Sequence, residues 1–225
     1  MKLYIGLALL LGAAIPALAQ SGMYLEAARI DLQDPRKPPD NQRIWLDAGR
    51  LRIEDETGKE IQIFKNRTLH VFDARRRRWV ALSSGATAQT ASTLAPGSPA
   101  LTAHATSRVE SAAGLPCTIW EVLSEGLKSQ ELCVASVEAV PGGTELRQTL
   151  LALGDLPDDA VIPGRNPQDP IVPFWRTAVT VEGIPLVVYT FDAQGRPGTE
   201  LRLTAIRSEP VPASAFELSG RQPQE

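Results

Sequence analysis

The stretch that decides the fold is Arg43-Ile-Trp-Leu-Asp-Ala-Gly-Arg-Leu-Arg-Ile-Glu54. Ile44 and Leu46 alternate with Arg43 and Asp47. Leu51 and Ile53 alternate with Arg50, Arg52 and Glu54. A period of two marks a half-buried strand, and Ala48-Gly49 supplies a turn between two of them. The pattern continues outward. Glu56-Thr-Gly-Lys59 turns into Ile61-Gln-Ile-Phe64, Asn66-Arg67 turns into Leu69-His-Val-Phe-Asp73, and Trp79-Val-Ala-Leu82 follows. Short strands at such spacing predict an antiparallel meander. Residues 23–32 are expected to pair with it. Residues 34–40 are a loop, because their prolines block both ladder and helix.

Residues 83–103, rich in Ala, Thr, Ser, Gly and Pro, read as a long loop. Strands resume near Thr106 as a second sheet segment. Residues 144–154 predict the best helix: Leu146, Leu150 and Leu153 share one face, Thr144 is placed to cap it and Gly154 to stop it. Residues 156–173 read as a loop and 175–181 as a strand. Glu182-Gly183 is a turn into 184–191, which is apolar on both faces and is therefore expected to be covered on both sides. A turn over 192–198 leads to a strand over 200–207. With no second core in view, 20–225 is read as one domain.

The first nineteen residues carry a secretory signal pattern: Lys2, an apolar run over 3–15, Pro16 and the small-x-small site Ala17-Leu-Ala19. Cleavage there leaves about 206 residues, enough for one sizeable core, and no cysteine follows the site to take a lipid anchor. The expected location is periplasmic, soluble after cleavage. The chain is 43% hydrophobic and 22% charged, which is globular, and its formal net charge of −3 gives no overall attraction to nucleic acid.

Cys117 and Cys133 are the only two cysteines. They lie in two strands around Ser124-Glu-Gly126. With those three residues as the loop, pairing numbers sum to about 250 and Cys117 falls opposite Cys133, within disulfide reach. Trp120, Val122, Leu132 and Val134 then occupy the other face, so the bridge is expected to sit outside the core. An oxidising compartment favours the bridge.

No catalytic constellation is recognisable. There is no Gly-x-Ser-x-Gly elbow, and Pro141-Gly-Gly-Thr144 lacks both the lysine and the spacing of a phosphate loop. His70 and His104 lie far from the cysteines and from the local spacing of a metal site. The acidic residues Glu54, Asp55, Glu56, Asp155, Asp158 and Asp159 fall in apparent turns as solvated charge. The reading is therefore a protein without enzymatic activity, metal or cofactor. Arg75, Arg76, Arg77 and Arg78 form the sharpest charge run, which suits a strand-to-strand turn and, functionally, contact with an anionic lipid surface or acidic partner.

Taken with the export signal, five phrases carry a resemblance: Arg43 to Glu54 as quoted, Leu69-His-Val-Phe-Asp-Ala-Arg-Arg-Arg-Arg-Trp-Val-Ala-Leu82, Ala113-Gly-Leu-Pro-Cys-Thr-Ile-Trp-Glu-Val122, Glu131-Leu-Cys-Val-Ala135, and Val211-Pro-Ala-Ser-Ala-Phe-Glu-Leu218. The chain resembles the exported LolA/LolB-like proteins and their relatives. The resemblance implies an α+β, mainly β fold: a curved antiparallel sheet, a half-barrel, with one or a few helices on the concave face. Arg50 or Arg52 matches the strand arginine of that group. In such a half-barrel, Trp45, Phe64, Trp79, Trp120, Trp175 and Tyr189 would either line an acyl-chain cavity or simply pack beneath the helix. The resemblance implies a binding or carrier protein for a lipid or an acylated partner, with peripheral membrane contact. The competing reading is an envelope protein-interaction or structural module without a small ligand.

Overall fold

The computed structural model describes residues 22–74, 76–83, 101–154, 156 and 178–218. The expected signal peptide, Arg75 and Trp175 lie outside the described residues. Six strands, β1 (Gly22–Asp31), β2 (Asp40–Asp47), β3 (Arg50–Asp55), β4 (Ile61–Lys65), β5 (Thr68–Asp73) and β6 (Arg78–Ser83), form the expected meander. Five more follow: β7 (Leu101–Ala112), β8 (Leu115–Ser124), β9 (Leu127–Ala135), β10 (Ile184–Phe191) and β11 (Pro197–Glu209). All eleven belong to one curved antiparallel sheet, ordered β6-β5-β4-β3-β2-β1-β11-β10-β9-β8-β7. The two expected segments are joined because β11 pairs with β1 on one side and β10 on the other.

Four hairpins turn on two residues that both have positive φ: Ala48-Gly49, Asn66-Arg67, Ala113-Gly114 and Glu125-Gly126. This backbone matches the right-handed twist of the flanking strands. At Gly126, with φ +81°, the left-handed conformation costs glycine nothing.

The helix α1 (Gly143–Gly154) begins one residue earlier than its expected cap, so Thr144 lies inside its first turn. Leu146, Leu150 and Leu153 are buried, as their spacing requires. Other expectations about the elements are corrected. Ser83 belongs to β6 and Leu101 to Ala103 to β7, not to the loop read over 83–103, and residues 84–100 lie outside the described residues. His104 is likewise a strand residue. Residues 178–180, read as part of a strand, are helical. Arg147 explains how that piece is held. Its guanidinium donates to the carbonyls of Ala178 and of Val181, the latter at 2.6 Å, and burial pushes its pKa down. Arg147→Met is therefore expected to destabilise by about 1.5–3 kcal/mol, the range for hydrogen bonds to a charged donor. Hydrogen exchange at residues 178–183 would read the local opening, and unchanged protection there would contradict it.

Directly paired residues share a sheet face. One face carries Met23, Leu25, Ile44, Leu46, Leu51, Ile53, Phe64, Leu69, Val71, Trp120, Leu132 and Val188. Met23 lies against the start of α1, where a Cβ on Gly142 would meet its methyl group. This helix-bearing face holds the bulk of the core, with Leu46 and Leu132 fully closed to solvent. The residues Ile184 to Val188 of β10 are all buried, in keeping with a strand covered on both sides.

The cysteines form the disulfide, with Cα atoms 5.2 Å apart. Their register differs from the count made on the sequence. The loop is Glu125-Gly126, so Ser124 faces Leu127 and Leu123 faces Lys128. A bulge at Ser129 then moves the pairing on, so that Val122 faces Gln130 and Ile119 faces Cys133. Cys117 is thus diagonal to Cys133. The bridge is also buried rather than outside the core, beside Ile119 and near Val187, the two partners of Cys133. Trp120 and Leu132 do lie on the other face, but both faces are closed here.

Candidate functional site

The sheet divides the residues expected to line one cavity. Phe64 and Trp120 lie on the helix-bearing face, while Trp45, Trp79 and Tyr189 lie on the opposite, outward face. They are not brought together. The period of two already implies this for Trp45, which sits between Ile44 and Leu46.

The outward face of β11-β1-β2-β3 instead carries a row of directly paired residues: Arg207, Tyr24, Trp45 and Arg52. The Tyr24 and Trp45 rings meet edge-on at 5.5 Å. Arg207 lies 5.0 Å over Tyr24, and Arg43 and Arg52 each lie 5.8 Å from the Trp45 centroid. These are cation–π distances. Glu54, expected as solvated charge in a turn, is instead buried within β3 between two guanidiniums, and it anchors the row. It accepts from Arg43 Nη2 at 2.8 Å and from Arg52 Nε at 2.9 Å. One carboxylate between two guanidiniums leaves a local surplus of one positive charge beside Trp45. Arg207 is paired with Glu26 and remains half exposed. Burial, then the neighbouring Glu26, pushes the Tyr24 hydroxyl above its ordinary pKa.

Beyond this row, the C-terminal residues 210–218 cross the outward face of β3–β6. A 3-10 turn, Ala213–Phe216, seats Phe216 on Ile61 and Ile63, with Trp45, Phe72, Trp79, Val211, Ala215 and Leu218 packed around them. This apolar cluster is separate from the main core. Arg52 Nη1 donates to Ala215 O at 2.9 Å, Lys65 Nζ donates to Phe216 O at 3.0 Å, and Arg50 stacks 4.5 Å over the Phe216 ring. Burial, with Lys65 nearby, lowers the pKa of His70 in the same region.

The third feature is a polar band on the outward face of β7–β11, where His104, Glu121, Glu131, Tyr189 and Glu200 are successive partners. Carboxylates directly opposite each other repel. Lys128 offsets the pair by bridging Glu121 at 3.1 Å and Glu131 at 2.5 Å, and Arg108 reaches Glu131 at 2.7 Å. Arg202 binds Glu200 and donates to the Tyr189 hydroxyl at 3.1 Å. Burial works to raise the pKa of Glu131, but hydrogen bonds from Lys128 and Arg108 outweigh it and hold the carboxyl below its ordinary value. A depressed folded pKa contributes stability above the unfolded value, here 4.5, and that contribution is lost as pH falls through the folded value. The stability gap between the wild type and Glu131→Gln is therefore expected to shrink from pH 7 to pH 3. Urea melts across that range would show it, and a constant gap would contradict it.

Arg76, Arg77 and Arg78 are exposed at the β5–β6 turn, where Arg76 pairs with Asp73 at 3.6 Å and Arg77 has positive φ. An open cleft of about 380 Å³ lies between the Ala48-Gly49 turn and α1, lined by Glu145, Gln148, Thr149 and Ala152, with Gly49 N donating to Glu145 at 2.8 Å. Among the described residues, no group of three His, Cys, Asp or Glu is placed to hold a metal, and no helix is long and apolar enough to cross a membrane.

The arginine–aromatic row and the C-terminal strap were not singled out from the sequence. Arg52, Trp45 and Tyr24 alternate outward along their strands, which is a signal for their face. The crossing of 210–218 has no local signal.

No family model matches the chain, and no curated protein matches it. Solved structures similar to it include a conserved protein from Thermus thermophilus (8% identity, 88% of this chain and 84% of that one, TM-score 0.47). They also include the MucA/MucB complex of Pseudomonas aeruginosa (11%, 87% and 54%, TM-score 0.42) and a domain from Vibrio parahaemolyticus described as an outer membrane lipoprotein-sorting protein (9%, 89% and 91%, TM-score 0.33). The chain thus spans about half the length of the chain it matches in the MucA/MucB structure. A lipoprotein-sorting domain is accordingly among the structures the chain resembles, at low identity.

Proposed function

We propose that the chain is a single-domain, non-catalytic binding module of the exported compartment, and that its outward sheet face holds a protein partner. The export pattern over 1–19 supports the location. The row Arg207–Tyr24–Trp45–Arg52 carries the reading of the surface. Tyrosine, tryptophan and arginine are the residues that dominate protein interfaces, and here they lie together, partly solvated, on a rigid sheet. The helix-bearing face is closed by α1 and its own side chains. The test is copurification of a partner from envelope extracts. The wild type should retain one dominant protein, and Tyr24→Ala with Arg207→Glu should lose it while remaining folded. Equal recovery by both would overturn the reading.

The second reading is a carrier for a lipid or an acylated protein. The observation favouring it is the continuous apolar interior on the helix-bearing side, from Val71 through Leu46 and Leu25 to Leu132, all of them buried. Native mass spectrometry of chain purified from the envelope would distinguish the two. A lipid mass lost on extraction supports the carrier, and a bare chain mass counts against it. Liposome flotation tests the exposed arginine tip: binding that is unchanged in Arg76→Gln, Arg77→Gln, Arg78→Gln excludes a lipid role for it.

A further inference from the structure

We propose that the groove beneath the C-terminal strap is a peptide-binding site, and that residues 211–218 are its occupant in cis. It would take a segment of a protein partner with an aromatic residue followed two positions later by an aliphatic one, as in Phe216-Glu-Leu218. The inference rests on the binding-module reading and names where that module takes its partner.

The groove is built on the outward side chains of β2–β6. Ile61 and Ile63 form its floor and Trp45, Phe72 and Trp79 its walls. Arg50, Arg52 and Lys65 stand on its rim. Outward strand residues would ordinarily be polar, so this apolar cluster needs a cover. The strap supplies one in a particular way. Its backbone hydrogen bonds are local, from Ala215 N to Pro212 O and from Glu217 N to Ser214 O. Its described polar contacts with the sheet pass from the rim cations to two main-chain carbonyls, those of Ala215 and Phe216. Main-chain carbonyls belong to every peptide, so this recognition does not depend on the strap's own side chains. Specificity comes from one ring, Phe216, buried beneath Arg50, and from the apolar flanks Val211 and Leu218.

A second observation points to a ligand. Trp79 Nε1 is buried in this cluster and has no hydrogen-bond partner. An unpaired buried donor is costly. Neither the strap nor the sheet satisfies it. A peptide that places a carbonyl against Trp79 would satisfy that donor and displace the strap. Intramolecular occupancy reduces the apparent affinity of any competitor by the fraction of time the groove is open. The strap therefore sets a threshold that a matching partner must exceed.

The test uses the full mature chain and a labelled peptide of residues 209–218, Glu-Pro-Val-Pro-Ala-Ser-Ala-Phe-Glu-Leu, read by fluorescence anisotropy. In Phe216→Ala the strap loses its anchor, and this variant should bind the peptide at least tenfold more tightly than the wild type. A peptide with alanine in place of its phenylalanine should bind at least tenfold more weakly. Arg52→Ala added to Phe216→Ala should weaken binding, as should Lys65→Met, since each removes a carbonyl donor. Circular dichroism establishes that each variant is folded. Saturable binding by Phe216→Ala at least tenfold tighter than by the wild type supports the proposal, and equal affinity of the two proteins overturns it. No binding by folded Phe216→Ala, or equal binding of the two peptides, overturns it. Should Phe216→Ala fail to fold, the cluster is structural and the proposal fails with it. Because partner copurification reads the Tyr24–Arg207 row independently, a negative peptide result with a positive copurification rejects the groove and leaves the module reading standing.

Discussion

Replacing both cysteines by alanine is expected to lower the melting temperature by about 6–12 °C. The bridge joins residues 16 apart in sequence. Closing a loop of that size stabilises by about 3 kcal/mol in the chain-entropy account, and in a chain of this size each kcal/mol corresponds to about 2–4 °C. Burial adds to the effect, because Cys117 and Cys133 are core side chains next to Ile119 and alanine leaves space behind. The loss should concentrate in β8 and β9. Calorimetry of the oxidised wild type and the double variant would measure it. A difference below about 2 °C would show that the hairpin is held by its ladder and packing alone.

Glu54→Ala is the second large effect. Glu54 is buried on the outward face and is the shared acceptor of Arg43 and Arg52. Removing it leaves Arg52, itself largely buried, without its carboxylate. Breaking one side of a buried ion pair costs about 3–5 kcal/mol. Arg43 is more exposed and can turn to water, so about 2–4 kcal/mol is expected here. The consequence reaches the strap, because Arg52 also donates to Ala215 O. Denaturant melts should show the destabilisation, and hydrogen exchange should rise over residues 213–218. Full stability in Glu54→Ala would mean that the arginines are held by Trp45 and solvent rather than by the carboxylate.

The meander β2–β6 was legible because its strands bury one face and alternate accordingly, from Ile44 and Leu46 to Leu69 and Val71. The unbroken apolar run Ile184-Pro-Leu-Val-Val188 made β10 readable as a strand covered on both sides. The helix followed from the spacing of Leu146, Leu150 and Leu153. The start of β7 was not legible: Leu101-Thr-Ala-His-Ala105 has few large or β-branched residues, and only its pairing with β8 makes it a strand. The cysteine register failed for a local reason. The bulge at Ser129, whose hydroxyl donates to Val122 O, has no sequence signature that distinguishes it from continued pairing.

The outward surface was less legible than the fold. Both faces of β4 carry large apolar residues, Phe64 on one and Ile61 and Ile63 on the other, so periodicity alone does not say which one meets α1. What decides it is a contact over more than 150 positions, Phe216 to Lys65 and Ala215 to Arg52. Hydropathy does not encode such a crossing. The six residues expected around one cavity shared aromatic character but not strand parity, and parity separates Trp45 from Phe64.

The most direct test of the outward face as the binding face is site-specific photo-crosslinking in the producing cell. A crosslinking residue at Tyr24 should capture one dominant protein. The same residue at Leu151, exposed on α1, should not. Capture at Leu151 with none at Tyr24 would contradict the account and move the functional surface to the helix-bearing side.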